Sequence, residues 1–198
     1  MTSPTPESFW RAFKKAIANG TQDLPVGVTK REAYESDSLW TRLAIGAAKA
    51  ACEELGLESS QEYFRVDLIG FTRGAHHRDG DEFRWYDWHL KVAFEHENTK
   101  EWRDELCKLA HLAADLCVLV SYYGPGENIE ELLGEALDVL GDRMTRVQGR
   151  EWLLAFGPNI HEYRANPDAS FKAFTMGHDG QLVPLQEETP LRPGDWQS

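Results

Sequence analysis

YFRVDLIGF, residues 63–71, and RWYDWHLKVAFEHE, residues 84–97, decide the fold, because here the chain leaves helical spacing for the period of a strand. The first segment is rich in aromatic and β-branched residues. The second sets Leu90, Val92 and Phe94 against Lys91, Ala93 and Glu95 in alternation, so both are predicted to be strands. Between them, Thr72 to Glu82 contains Gly74 and the turn pair Asp79-Gly80, which predicts a long-looped antiparallel hairpin. Asp67 lies mid-strand between Val66 and Leu68, whereas Glu95 and Glu97 are two apart near the end of the next strand and share one face. If the hairpin forms, one aspartate and two glutamates converge. Such acids repel one another and lose hydration, a penalty offset by a hard divalent cation with oxygen ligands, Mg²⁺ or Mn²⁺.

Outward from this pair the order continues as helix and strand. Asn98 or Thr99 is placed to cap a helix carrying Trp102, Leu106, Leu109 and Leu112, with Glu101 three residues after Asn98 as in a capping box. LCVLVSYY, from Leu116, then reads as a buried strand. On the N-terminal side, Thr5 caps a helix from Pro6 to Ala18 with Phe9, Trp10, Phe13 and Ile17 on one face, ended by Gly20. Residues 21–28 read as a loop, and Ser36 or Asp37 opens a helix through Leu55, stopped at Gly56. On the C-terminal side the pattern predicts a helix from Ile129 to Arg143, a strand in EWLLAF, a pair of strands in FKAFTM and QLVPL around His178-Asp179-Gly180, and an irregular tail.

VDLIGF, FEHEN, the helix containing DELCKL, and DLCVLVSYY together resemble the PD-(D/E)XK, or restriction-endonuclease-like, nuclease superfamily. In that family an acid on one strand and a (D/E)-x-K pair on the next bind metal. The resemblance covers about sixty of the 198 residues. It implies an α/β fold, a mixed sheet flanked by helices. It gives Asp67 the role of first acid, Glu95 that of second acid, and sets Glu97 where the family usually has lysine, as some restriction enzymes do. Lys91, on the strand face of Glu95, and Lys108, one helical turn after Glu105, are the two candidates to replace the lysine charge. Glu32 or Glu35 is a further candidate for the metal shell. The implied activity is metal-dependent endonucleolytic cleavage, within a bacterial DNA-processing or defence system. The alternative is a noncatalytic module of the same fold that binds a protein or mimics DNA. The plainer reading of the acids pairs Asp67 with Arg65 or Arg84 and leaves the glutamates solvated.

The charge balance bears on partners. With 33 acidic against 21 basic residues the net charge is −12, which opposes nonspecific attraction to phosphate. The expected partners are nucleic acid, DNA before RNA, a protein that supplies the DNA contacts, or a second copy of the chain. Arg73, His76, His77 and Arg78 form the compact basic patch beside the acids and are the candidates for phosphate contact. Cys52, Cys107 and Cys117 form no CxxC pair, so buried thiols are expected rather than disulfides or zinc ligands. His96 alternates away from the glutamates and is expected to pack; His89 and His111 are expected in apolar surroundings. The aromatic residues Trp85, Tyr86, Trp88, Trp102, Tyr122 and Tyr123 are expected to fill core and hairpin before stacking on bases. The sequence has neither a signal-peptide pattern nor an apolar run of the ~20 residues a membrane span needs, so a single cytoplasmic domain is expected.

Overall fold

The computed structural model describes residues 3–20, 24–63, 65–74, 88–98, 101–141, 149–177, 179–186 and 190–196. Their elements run α1 (Pro6–Asn19), α2 (Lys30–Tyr34), α3 (Asp37–Glu54), β1 (Glu58–Tyr63), β2 (Val66–Arg73), β3 (Trp88–His96), α4 (Trp102–Ala110), β4 (Leu116–Tyr123), α5 (Ile129–Gly141), β5 (Glu151–Pro158), α6 (Ile160–Ala165), β6 (Lys172–Met176) and β7 (Leu182–Pro184). One sheet holds seven strands in chain order. β1, β2 and β3 pair antiparallel, β3, β4 and β5 parallel, and β5, β6 and β7 antiparallel again.

Alternation along the central strands builds two cores, one on each face. Val92 and Phe94 of β3, Leu116, Val118 and Val120 of β4, and Leu153 and Ala155 of β5 pack against α1 and α3, which supply Phe9, Trp10, Phe13, Leu43 and Ala47. Ala93, Cys117, Leu119, Trp152, Leu154 and Phe156 point the other way. They meet Trp102, Leu106 and Leu109 of α4 and Leu132, Ala136 and Leu140 of α5. Strands buried on both faces read as unbroken apolar runs, which explains LCVLVSYY. Each parallel step is bridged by a helix on the same face, as crossovers of one hand require. The result is a mixed α/β molecule of three layers. Among the described residues no helix is long and apolar enough to cross a membrane.

Several local expectations hold. Thr5 caps α1 in a box with Ser8, and Gly20 follows with φ 75°. Cys52 and Cys117 are buried free thiols as expected, whereas Cys107 is free but only half-buried. Others are corrected. YFRVDLIGF is not one strand: β1 ends at Tyr63 and its antiparallel partner β2 begins at Val66, with Glu62 at φ 55° and Arg65 at φ 65°. β1, ESSQEY, lies at the sheet edge with none of its residues buried and so shows no apolar alternation. α2 fills the stretch between the loop of residues 21–28 and α3, where no element is predicted, and is announced by a Thr29–Glu32 capping box. α6 also escapes the period reading; Asn159 caps it by accepting from the His161 and Glu162 N–H groups. Asn98 does not cap α4, because its side chain bonds Thr41 Oγ1 at 2.9 Å, and Glu101 occupies the cap without a side-chain bond. His89 and His111 are exposed rather than enclosed in apolar surroundings. The Asp79-Gly80 turn, Trp85 and Tyr86 lie outside the described residues.

Gly70 fixes how the layers meet. A Cβ at this position would stand 2.7 Å from Cys52 Sγ, so only glycine lets α3 approach β2 here. The β2–β3 register shifts at the same point, between Gly70 and Phe71.

Candidate functional site

Leu68 faces Phe94 across the β2–β3 ladder, and the antiparallel pairing carries on to set Asp67 beside Glu95 on the α4 face. The two acids are joined through the backbone. The Asp67 N–H donates to Glu95 Oε2 at 3.4 Å, and the His96 N–H donates to Asp67 Oδ2 at 2.8 Å. Glu95 is only 2% exposed. A carboxyl group so placed either finds a charge partner or holds its proton more tightly.

That partner is Lys108. Its position on α4 follows from the Trp102, Leu106 and Leu109 stripe that seats the helix on the sheet, which turns the intervening Lys108 toward β2 and β3. The ammonium lies 2.6 Å from Glu95 Oε1, bonds Glu105 one turn earlier, and donates to the Arg65 carbonyl at 2.7 Å. The carbonyl contact is a hydrogen bond, and the two carboxylates are held as ion pairs. The Arg65 bond also ties down the left-handed residue that opens β2.

Burial raises the Asp67 carboxyl above its ordinary value, opposed by the His96 N–H bond, the bond with Glu95 and the Lys108 charge. Glu95 is raised more strongly, again first by burial. Lys108 opposes this, whereas the neighbouring Asp67 and Glu105 charges add to it. For Lys108 itself burial acts downward, but its bonds to Glu105 and Glu95 prevail and hold it above the usual lysine value. The acids therefore retain protons more readily than solvated carboxylates, while the lysine stays charged.

Of the residues predicted from sequence, Asp67, Glu95 and Lys108 come together. Lys91 does not join them: it pairs with Asp115 at 2.7 Å, because four residues of extended strand separate it from Glu95. Glu97 follows the end of β3, where its backbone N–H donates to Val120 O at 3.0 Å and its carbonyl accepts from Ser121 Oγ at 3.1 Å. Glu32 serves the Thr29 cap, and Glu35 pairs with Arg31 and lies 3.9 Å from Arg164. Asp67 forms no ion pair with Arg65; Arg84 lies outside the described residues. Arg73 pairs with Glu58, while His76, His77 and Arg78 lie outside the described residues.

His96 turns to the opposite face, as alternation requires. Its Nε2 meets the Tyr122 hydroxyl at 2.6 Å, and that hydroxyl accepts the Trp40 indole N–H. Burial lowers its pKa to about 3, which keeps the ring neutral. Sequence reasoning did not foresee this triad, since its members lie on three elements. Glu105 was visible only as the i−3 neighbour of Lys108.

Among the described residues no group of three histidine, cysteine, aspartate or glutamate side chains is arranged to hold a metal ion. No protein-family model and no curated protein matches the chain.

Proposed function

We propose that the chain is a restriction-endonuclease-like nuclease in which Asp67 and Glu95 hold Mg²⁺ or Mn²⁺ and Lys108 takes the part of the motif lysine. The reading rests on one observation: an acid near the start of β2 and an acid near the end of β3 lie side by side, with the ammonium of the following helix 2.6 Å from the second. The surrounding order supports it, with α3, three antiparallel strands, α4, and then β4 parallel to β3. A divalent cation bound there supplies Lewis-acid polarisation of a phosphodiester and a more acidic bound water. The His96 N–H orients Asp67 through Oδ2. Lys108 keeps its charge and stabilises negative charge developing on phosphate. The substrate class is DNA before RNA, and the setting a bacterial DNA-processing or defence system.

A second reading, a noncatalytic module that binds a protein or mimics DNA, has its own support. Glu95 is 2% exposed, and its charge partner Lys108 comes from within the chain. The −12 charge favours a cationic partner.

The test is cleavage of plasmid, linear and single-stranded DNA with Mg²⁺ or Mn²⁺ by the wild type, Asp67→Ala and Glu95→Ala. Metal-dependent cutting lost in both variants is expected. Equal cutting by both variants would sink the site assignment. No cutting by the wild type, with no metal-dependent rise in its melting temperature, would leave the noncatalytic reading.

A further inference from the structure

In open α/β sheets the crevice outside the carboxyl ends of the strands is a recurrent ligand site. In this chain Asn98 follows β3, Tyr122 lies at the end of β4 and Asn159 follows β5. With Asp37, Trp40 and His161 they line a cavity of about 220 Å³. It opens on the α3 side of the sheet, away from the Asp67–Glu95 pair, and its chemistry is independent of whether that pair cleaves nucleic acid.

The floor has its polar atoms committed. The Tyr34 hydroxyl donates to the Pro158 carbonyl, and the Tyr122 hydroxyl is held between the Trp40 indole and His96. The walls differ. Asn98 uses its amide N–H groups on Thr41 Oγ1 at 2.9 Å and on the Asp37 carbonyl at 3.4 Å, which leaves Oδ1 as an acceptor. Asn159 Oδ1 accepts two backbone N–H groups, and its Nδ2 stands over Gly124, where a Cβ would come within 2.9 Å. Asp37 is exposed and lines the cavity; among the described residues its carboxylate has no cationic partner, and neither lysine nor arginine lines the cavity. Burial first, and the Asp37 charge after it, keeps the Tyr122 hydroxyl protonated, so the Asp37 charge is felt at the floor.

These features select a cationic head. The volume is below the roughly 300–1,000 Å³ of sites that enclose a drug-sized ligand, so a head group fits rather than a whole molecule. A guanidinium is planar, permanently charged and forked. It can engage both Asp37 oxygens and still direct a donor toward Asn98 Oδ1. An ammonium is more strongly hydrated and lacks the fork. We infer that this cavity is a recognition site for a guanidinium group, carried by an arginine side chain of a polypeptide or by a small free guanidine.

The test is a titration of ¹⁵N-labelled full-length protein with N-acetyl-arginine amide, following the indole N–H signal assigned to Trp40 through Trp40→Phe. A saturable shift is expected. Asp37→Asn should weaken binding by about tenfold or more, the scale of one hydrogen bond to a charged group. Ile160→Trp, which fills the cavity without changing charge, should abolish it, whereas Glu53→Gln, an equal charge change elsewhere, should not. Uncharged N-acetyl-citrulline amide should leave the signal unmoved. Binding of the same arginine within a Gly-Ser peptide supports the polypeptide source, and binding of the monomer alone supports the small guanidine. The inference is overturned if the arginine probe gives no saturable shift, if Asp37→Asn binds as tightly as the wild type, or if the citrulline probe binds equally.

Discussion

Lys108 holds two carboxylates and a carbonyl at once, so its removal leaves Glu95 buried beside Asp67 and Glu105 with no cation among them. Lys108→Met is expected to destabilise the fold by on the order of 2 kcal/mol, less than for a fully enclosed pair because Lys108 is 29% exposed. Lys91→Met should change stability by less than about 1 kcal/mol, since the Lys91–Asp115 pair is part-exposed. Urea unfolding of the two variants checks the contrast. The raised Glu95 carboxyl also sets a pH dependence. Above its ordinary value of 4.5 the folded protein binds more protons at this site than the unfolded chain, so this contribution to stability falls as pH rises. Glu95→Gln, which cannot ionise, should remove that fall in urea titrations between about pH 5 and 8. Bound Mg²⁺ competes with the same proton, so its stabilising effect should be larger at the alkaline end. Asp67 and Glu95 were legible in sequence because strand alternation and hairpin pairing suffice to bring them together. The choice between Lys91 and Lys108 was not, because it depends on how far α4 lies from each end of β3.

At the scale of elements, the helices and central strands follow from spacing alone: α1, α3, α4 and α5 carry apolar stripes, and β4 is apolar on both faces. The pieces that escaped are short or solvated. β1 has no buried stripe to betray its period, and α2 and α6 have five and six residues. Only their caps give them away. The approach of α3 to β2 is testable here. Gly70→Ala sets a methyl group against Cys52 Sγ and should cost about 1–3 kcal/mol, as overpacking does. Cys52→Ala in the same molecule should restore part of that loss. A double-mutant cycle by thermal unfolding measures the coupling, and strict additivity would show that the two side chains do not compete for one space.

Across the whole molecule, 33 acidic residues against 21 basic ones repel a polyanion before any contact is made. Most DNA-binding proteins lose affinity as salt is added. Under the nuclease reading, this chain should instead cleave linear DNA with a kcat/KM that rises as salt goes from low levels to about 0.1 M at fixed Mg²⁺, because screening weakens the repulsion. A steep fall would point to a basic groove stronger than the overall charge. The seven strands lie in the order in which they occur along the chain. During synthesis each new strand can therefore dock beside its predecessor without parting an existing ladder, and the sheet can grow in the direction of translation. Helix α1 obeys a different schedule. Its Trp10 packs against Phe171, just ahead of β6, so α1 emerges before every strand of the sheet yet completes its contacts only when the residues before β6 arrive.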